Sequence, residues 1–454
     1  MKLDVWMERV DFPVGTLVRS DDKTLTFAYS QEAVQSGSPD CRLSIALPLR
    51  EEAYQDSASV AFFGNLLFEG RRLDDVVDGH GIDRDDYGRL LQYLGADCPG
   101  AVSVTPEGTG PGKRPGIFPD DYEELSAETL LKLIRSLHFH GRLPEETRDP
   151  SPVAGVQPKI AIVLHEERYY LPRKDSRAPT THILKVSPRD DSLLTRHEVA
   201  LLALAGKLGL DVTQAERQVF HDPDTATDIE TILSTRFDRT FLDGRITRLH
   251  SEDFCQALGL PKALKYERNA VTADQRFSAA AVGRLAAMVA APGLFQIRFL
   301  EQTLFNLAVG NTDNHAKNST ILYRGDAGEL APLYDVVPIT LDPRPTHAFA
   351  FNLGDAAYAE DLTEQNLLDA MSDLGFARPR FTGRWPKILA QVAEPGIPML
   401  EASGGKQLAD GIAAQLRIVS EALGQDFKIP ERDYFPRNRR DARPGEGGGW
   451  AVLS

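Results

Sequence analysis

Val309-Gly310-Asn311-Thr312-Asp313-Asn314-His315-Ala316-Lys317-Asn318 ends an apolar segment with a sudden run of polar side chains. Upstream, Phe295 to Ala308 repeats apolar residues at helical spacing. Downstream, Ser319-Thr320-Ile321-Leu322-Tyr323 reads as a strand, and a glycine-containing turn leads to Leu333-Tyr334-Asp335-Val336. Asp313 and Asn318 therefore lie five residues apart in a loop between a helix and a strand, with Asp335 just past the next strand. A phosphoryl-transfer site needs a carboxylate to take or orient the proton of the attacking hydroxyl. It also needs oxygen ligands that hold Mg2+ against the phosphates. A D-x-x-x-x-N loop followed by a second Asp supplies both in protein kinases. Taken alone, the same residues also read as turn chemistry, because Asp and Asn satisfy local backbone groups in loops. The buried helix before the loop and the second Asp after one hairpin favour the site.

Working outward, Lys185 stands in His182-Ile183-Leu184-Lys185-Val186, a strand of otherwise largely apolar residues. It reads either as a solvated strand lysine or as a cation aimed at an anion. Glu198, in the following Ala/Leu-rich helix (198 to 208), is its candidate ion-pair partner, the arrangement that holds ATP phosphates in kinases. Val153 to Lys159 contains one glycine, so it is neither a G-x-G-x-x-G nor a Walker loop. Strands are expected at Lys2 to Met7, Thr16 to Val18, Leu25 to Tyr29, Lys159 to Leu164, Arg168 to Leu171 and Thr231 to Ser234. Helices are expected from Asp85 to Leu94, stopping at Gly95, and from about 126 to 138 with Ser126 as N-cap. Residues after about 240 read as mainly helical, apart from the strand pair around 319 to 335. The fold class expected is α+β, two-lobed, with four regions: a β-rich N-terminal subdomain (1–110), a smaller ATP-binding region (111–240), a helical catalytic lobe (241–430) and a flexible tail (431–454).

Composition sets limits on this reading. Apolar residues are 42% and charged residues 26% of the chain, ordinary for a globular protein. Three scattered cysteines, Cys41, Cys98 and Cys255, argue against a disulfide framework or a structural zinc site and for a reducing, cytoplasmic setting. The start of the chain has no apolar signal core, and no stretch approaches the roughly 20 apolar residues of a membrane span, so no membrane association is expected. A net charge of -15 disfavours direct nucleic-acid binding, since phosphates are held by Lys and Arg. The arginines between Arg432 and Arg443 sit among Pro and Asp, which reads as a tail.

Several of these segments, in order, resemble the HipA family of toxin kinases. Val153-Ala154-Gly155-Val156-Gln157-Pro158-Lys159 resembles its A-G-x-Q-x-K loop, Thr181 to Lys185 its T-H-I-x-K strand, and Arg236-Phe237-Asp238-Arg239 its R-F-D-R segment. Glu252-Asp253-Phe254-Cys255-Gln256 resembles E-D-x-C-Q, Thr312 to Asn318 resembles T-D-x-H-A-K-N, and Tyr334-Asp335 its Y-D. Asn65-Leu66-Leu67 resembles the family's N-terminal subdomain. The resemblance covers about residues 2 to 425 and implies a protein serine/threonine kinase that uses ATP and Mg2+. Asp313 would be the catalytic base, Asn318 and Asp335 the metal ligands, and Lys185 a phosphate contact. Val153, Ala154, Gly155, Val156, Gln157 and Lys159 would cover the phosphates. Leu233, Ser234, Thr235 and Phe237 would form the hinge at adenine, and His315 and Lys317 would shape the catalytic loop. Family members can autophosphorylate a serine two residues before Ala-Gly. The matching position here is Pro152, which leaves Ser151 as the candidate.

The resemblance also implies a toxin–antitoxin module. Its partners would be a helix-turn-helix antitoxin, through which DNA is contacted indirectly, and a translation-related protein substrate such as an aminoacyl-tRNA synthetase. The alternative is a kinase-shaped binding partner of that antitoxin acting mainly in repression. The presence of Asp313, Asn318, Asp335 and Lys185 together favours the enzyme. A metal-dependent phosphohydrolase built on His315 is disfavoured for want of clustered His and carboxylate ligands.

Overall fold

The computed structural model describes residues 1–69, 71–144, 147, 157–189, 193–325 and 328–432. The fold is α+β. The chain forms two compact units, each assembled from separated segments: Met1–Ser192, Glu216–Lys262 and Ile321–Gly328 in one, and Leu193–Ala215, Ala263–Thr320 and Glu329–Ser454 in the other.

The first unit opens with β1 (Lys2–Met7), β2 (Gly15–Arg19) and β3 (Leu25–Tyr29), joined later by β4 (Val102–Pro106), in the antiparallel order β3-β2-β1-β4. Alternation puts Leu3, Val5, Met7, Leu17, Leu25 and Phe27 on one face, where all are buried. The Asp56–Phe63 and Tyr87–Leu94 helices contribute Phe62, Phe63, Leu90 and Leu91 to the same core. Asp86 caps the second of these by accepting from Arg89 N–H.

The next strands are β5 (Gly116–Ile117), β6 (Tyr122–Glu124), β7 (Lys159–His165), β8 (Arg168–Pro172), β9 (His182–Val186), β10 (Ala215–Asp222) and β11 (Thr227–Thr235). Six of them form a sheet in the order β10-β11-β9-β7-β8-β6. The Ala127–His140 helix, capped by Ser126 and ended by Gly141 in the left-handed region, lays Leu130, Leu133, Ile134 and Leu137 on Ile160, Ile162, Leu184, Val186 and Leu233. Burying each of these side chains contributes about 1.5–3 kcal/mol.

The expectation of helix after residue 240 is overturned for the following residues, which form β12 (Arg239–Leu242) and β13 (Arg245–Arg248), with β5 added at the edge of β13. The cause is local. Asp243 and Gly244 both take positive φ (50° and 72°), the two-residue turn that matches strand twist. A short strand, Ser251–Asp253, follows, and Asp253 and Gln256 form a reciprocal capping box on the Phe254–Ala257 helix.

The second unit is mainly helical. Its central element is the Pro292–Val309 helix, nearly all buried after Phe299, with Pro292 in its first turn. The Lys406–Leu423 helix packs on it, and buried Gln415 Nε2 donates to Leu307 O at 3.0 Å. The helix expected from Glu198 begins earlier, spanning Leu194–Lys207, and packs on the Ile397–Gly404 helix. Arg432 pairs with Asp410 (2.8 Å) and Glu401 (2.5 Å); the rest of the expected tail, 433–454, lies outside the described residues. Among the described residues no helix is long and apolar enough to cross a membrane.

Candidate active site

The central helix ends at Gly310, whose φ of 67° is left-handed. A Cβ there would also lie 2.0 Å from Thr340 Oγ1, so the chain turns into the loop at a point where only glycine fits. Amide groups then brace the loop from within. Asn311 Nδ2 donates to Asn306 Oδ1 (3.0 Å), and Asn311 Oδ1 accepts from Asp313 N–H (3.3 Å). Asn318 Nδ2 donates to the Asp313 carbonyl (2.8 Å), and Asn318 N–H to the His315 carbonyl (2.8 Å). The first of these bonds turns the Asn318 amide nitrogen into the loop, so its Oδ1 is the atom of this side chain that could meet a cation.

A second segment, Lys265-Tyr266-Glu267-Arg268, is fastened to this loop. Ala316 N–H donates to the Lys265 carbonyl (3.0 Å), and the Tyr266 hydroxyl donates to Asp313 Oδ1. The Tyr266 ring meets His315 edge-on at 5.1 Å, while Arg268 covers its face with Cζ 3.9 Å from the centroid. Burial pushes the Asp313 carboxyl up to about 6; the Tyr266 hydrogen bond and the charge of Lys265 oppose the rise, Asp335 adds to it, and Arg268 opposes it. A carboxylate titrating there is ionised at neutral pH yet basic enough to take a hydroxyl proton.

Asp335 is held against the same loop. Thr320 Oγ1 donates to the Tyr334 hydroxyl (2.7 Å), which donates to the Lys317 carbonyl (3.1 Å). Asp335 itself has φ 56°, a conformation that costs a non-glycine residue energy and that Asp tolerates better than most. Asn306, Asn311, Asn314, Asn318 and Asp335 line a small cavity. Among the described residues no three His, Cys, Asp or Glu side chains cluster as a metal site. Among the lining side chains, Asn318 and Asp335 could supply one amide and one carboxylate oxygen to a cation. Such a set suits a hard cation that keeps water and phosphate oxygens for its remaining ligands.

In the first unit Lys159 on β7 and Lys185 on β9 are directly opposite each other, both buried (5% and 9% exposed). Two lysines in this register make a position that would suit an anion. Ser234 follows Leu233 on β11, and alternation puts it on the lysine face, while the Leu233 side chain lies in the core under the Ala127–His140 helix. Leu233 can therefore offer a ligand only its backbone. Thr235 and Phe237 are half-buried at the end of β11. Gln157 is half-buried just before β7; Ser151, Val153, Ala154, Gly155 and Val156 lie outside the described residues. Glu198 is buried in its helix in the second unit. The R-F-D-R segment closes on itself, with Asp238 bridging Arg236 (3.0 Å) and Arg239 (2.6 Å).

The model of the HipA-like C-terminal domain family matches residues 151–394, more than half of the chain, and that of the HipA N-terminal domain matches residues 3–105. The chain belongs to the HipA family. It is an enzyme of the protein serine/threonine kinase class, a class that transfers phosphate from ATP. A Sinorhizobium fredii protein named "Putative kinase Y4mE" is 29% identical over 429 residues, covering 92% of this chain and 98% of the relative. The serine/threonine-protein kinase toxin HipA of Shewanella oneidensis is 28% identical over 418 residues, covering 86% and 89%. The structure is similar to that of HipA solved with HipB and operator DNA from the same organism, with a TM-score of 0.72 and 24% identity over 93% of this chain and 98% of the other. At that identity the structural likeness is one of fold.

Three residues at the site, Lys265, Tyr266 and Arg268, escape sequence reading. They sit about 50 residues before the loop in a segment with no helical or strand period. The one signal is a Lys-Tyr-Glu-Arg run following Pro261.

Proposed function

We propose that this HipA-family chain transfers the γ-phosphate of ATP to a serine or threonine hydroxyl, with Asp313 as catalytic base. The observation that supports this most directly is the fixing of the Asp313 carboxyl by Tyr266 within a loop whose Asn318 offers its Oδ1 beside it. Asn318 and Asp335 would hold Mg2+, which when bound neutralises charge developing on the phosphates. Lys159 and Lys185 engage the phosphates from the sheet. Ser234, Thr235 and Phe237 take the hinge role, His315 and Lys317 shape the loop, and Val153 to Gln157 cover the nucleotide. In the transfer, Asp313 accepts the proton of the acceptor hydroxyl as its oxygen attacks the γ-phosphorus, and the bond from that phosphorus to the β,γ-bridging oxygen breaks, releasing ADP. Removing the base is expected to lower the rate about 10²–10⁴-fold.

The same reading places the chain in a cytoplasmic toxin–antitoxin module. Its partner would be an antitoxin of the HipB kind, the partner seen with the Shewanella oneidensis structure, and its acceptor a translation-related protein such as an aminoacyl-tRNA synthetase. A net charge of -15 supports DNA contact through such a partner rather than by this chain. Intact-mass measurement after incubation with ATP and Mg2+, for wild type and Asp313→Asn, tests the chemistry. One added phosphate in wild type and none in the variant is expected, with peptide mapping deciding whether Ser151 carries it. Absence of nucleotide binding would refute the assignment.

A further inference from the structure

A base must aim a lone pair at the proton it takes, and an aspartate does not hold that aim by itself. The torsion that turns its carboxylate is broad and roughly two-fold, so the group swings unless one of its oxygens is bound. Asn311 and Asn318 secure the Asp313 backbone at its N–H and its carbonyl, but neither bond reaches the carboxylate. Among the described residues the one hydrogen bond to that carboxylate comes from the Tyr266 hydroxyl, to Oδ1, and Oδ2 has no hydrogen-bond partner.

Tyr266 is itself held on its edge, its face and at its root. Its side chain is buried, 5% exposed, and His315 meets the ring edge-on at 5.1 Å. Arg268 Cζ lies 3.9 Å from the ring centroid, within range of cation–π attraction. The same guanidinium donates from Nη1 to the Phe349 carbonyl at 3.3 Å. Backbone bonds fix the segment on both sides of the tyrosine: the Lys265 carbonyl accepts from Ala316 N–H (3.0 Å), and Glu267 N–H donates to the Ala350 carbonyl (2.8 Å). Glu267 Oε2 also accepts from Asn352 N–H (2.6 Å). A continuous line of contacts thus runs from the Phe349 carbonyl through Arg268 and Tyr266 to Asp313 Oδ1, all within the second unit. Tyrosine suits this task, because its hydroxyl ends a rigid ring with two torsions, so fixing the ring fixes the donor.

We infer that Tyr266 and Arg268 are positioning residues: Tyr266 holds the base by Oδ1 so that Oδ2 takes the proton of the acceptor, and Arg268 acts through the Tyr266 ring. The inference rests on the kinase reading above and adds to it the atom that acts and the residues that aim it. Its test uses the full chain with ATP and Mg2+ at a fixed pH of 8, with water as the acceptor, and reads phosphate release. A water oxygen bonds to the γ-phosphorus, Asp313 Oδ2 takes the water proton, and the bond to the β,γ-bridging oxygen breaks to release ADP. Tyr266→Phe is expected to lower kcat about tenfold, the effect of one hydrogen bond, with KM for ATP unchanged. Calorimetric affinity for the β,γ-imido analogue of ATP should stay at the wild-type value, which also shows that the variant is folded. Arg268→Met is expected to lower kcat about threefold when Tyr266 is present and not at all in Tyr266→Phe, since its effect passes through the hydroxyl. Arg268→Lys keeps a cation over the ring and should restore most of that loss. Faster phosphate release by Tyr266→Phe would show that the hydroxyl obstructs the base and would overturn the inference. So would losses that add in the double variant, or that fall on analogue affinity and kcat alike. Analogue binding by wild type without phosphate release would also overturn it, whereas absence of analogue binding would overturn the kinase reading itself.

Discussion

Replacing Glu252 by glutamine isolates the energetic effect of one buried carboxyl in the first unit. Glu252 accepts hydrogen bonds from Ile45 N–H (3.0 Å) and from the hydroxyls of Ser44 and Tyr323, and it is 1% exposed. Burial pushes its carboxyl up to about 7 from an ordinary 4.5; the hydrogen bonds from Ser44, Tyr323 and Ile45 oppose this, and Asp253 adds to it. The folded state therefore holds a proton that the unfolded state has released between those two values. Stability is highest while the group is protonated and falls as pH rises through the interval. The full interval corresponds to about 3 kcal/mol, of which about 2 kcal/mol falls between pH 5.5 and 8. Glutamine is close in shape and has no proton to lose. Urea midpoints for wild type and Glu252→Gln, measured at both pH values, should show the variant gaining on wild type by about 2 kcal/mol on going to pH 8. A difference that is constant with pH, or that moves in wild type's favour, would show that the three hydrogen bonds outweigh burial and that the carboxyl is ionised in the folded protein throughout.

Two further changes probe the active site. With Asp313 as base, kcat/KM for phosphate transfer should fall as pH drops through about 6; Tyr266→Phe removes a bond that favours the ionised form and should move this acid limb up by about one unit, which a pH–rate profile would show directly. Gly310→Ala forces a side chain into a left-handed position and against Thr340 Oγ1, so it should cost more than about 2 kcal/mol by urea denaturation. Adding Thr340→Ala should recover the steric share of that loss and leave the backbone share in place.

Strands with clear alternation were legible in the sequence, and β9 occupies the residues expected for it. The Ala127–His140 helix was legible for another reason: Ser126 and the leucine spacing state its start and its buried face together. The strands β12 and β13 were hidden by arginines and threonines at their ends, although Asp243-Gly244 was a readable turn signal. The polar loop from Asn311 to Asn318 was readable because its residues are contiguous. Tyr266 was not, because its role depends on a hydrogen bond across 47 residues of chain, which no local pattern encodes. The conformational fit at Gly310 likewise depends on Thr340, a neighbour that only the folded chain supplies.

The interleaving of the two units has a consequence for biosynthesis. The first unit includes Ile321–Gly328, and Tyr323 from that segment donates its hydroxyl to Glu252. The second unit in turn starts at Leu193 and resumes only at Ala263. Neither unit can be completed as the chain leaves the ribosome until the segment around residue 330 has emerged, and by then Asp313 and Asn318 are already synthesised while Asp335 is only arriving. A chain made only as far as Asn318 thus lacks both a finished first unit and Asp335, the carboxylate proposed to hold the metal, and the two are supplied within a few residues of each other.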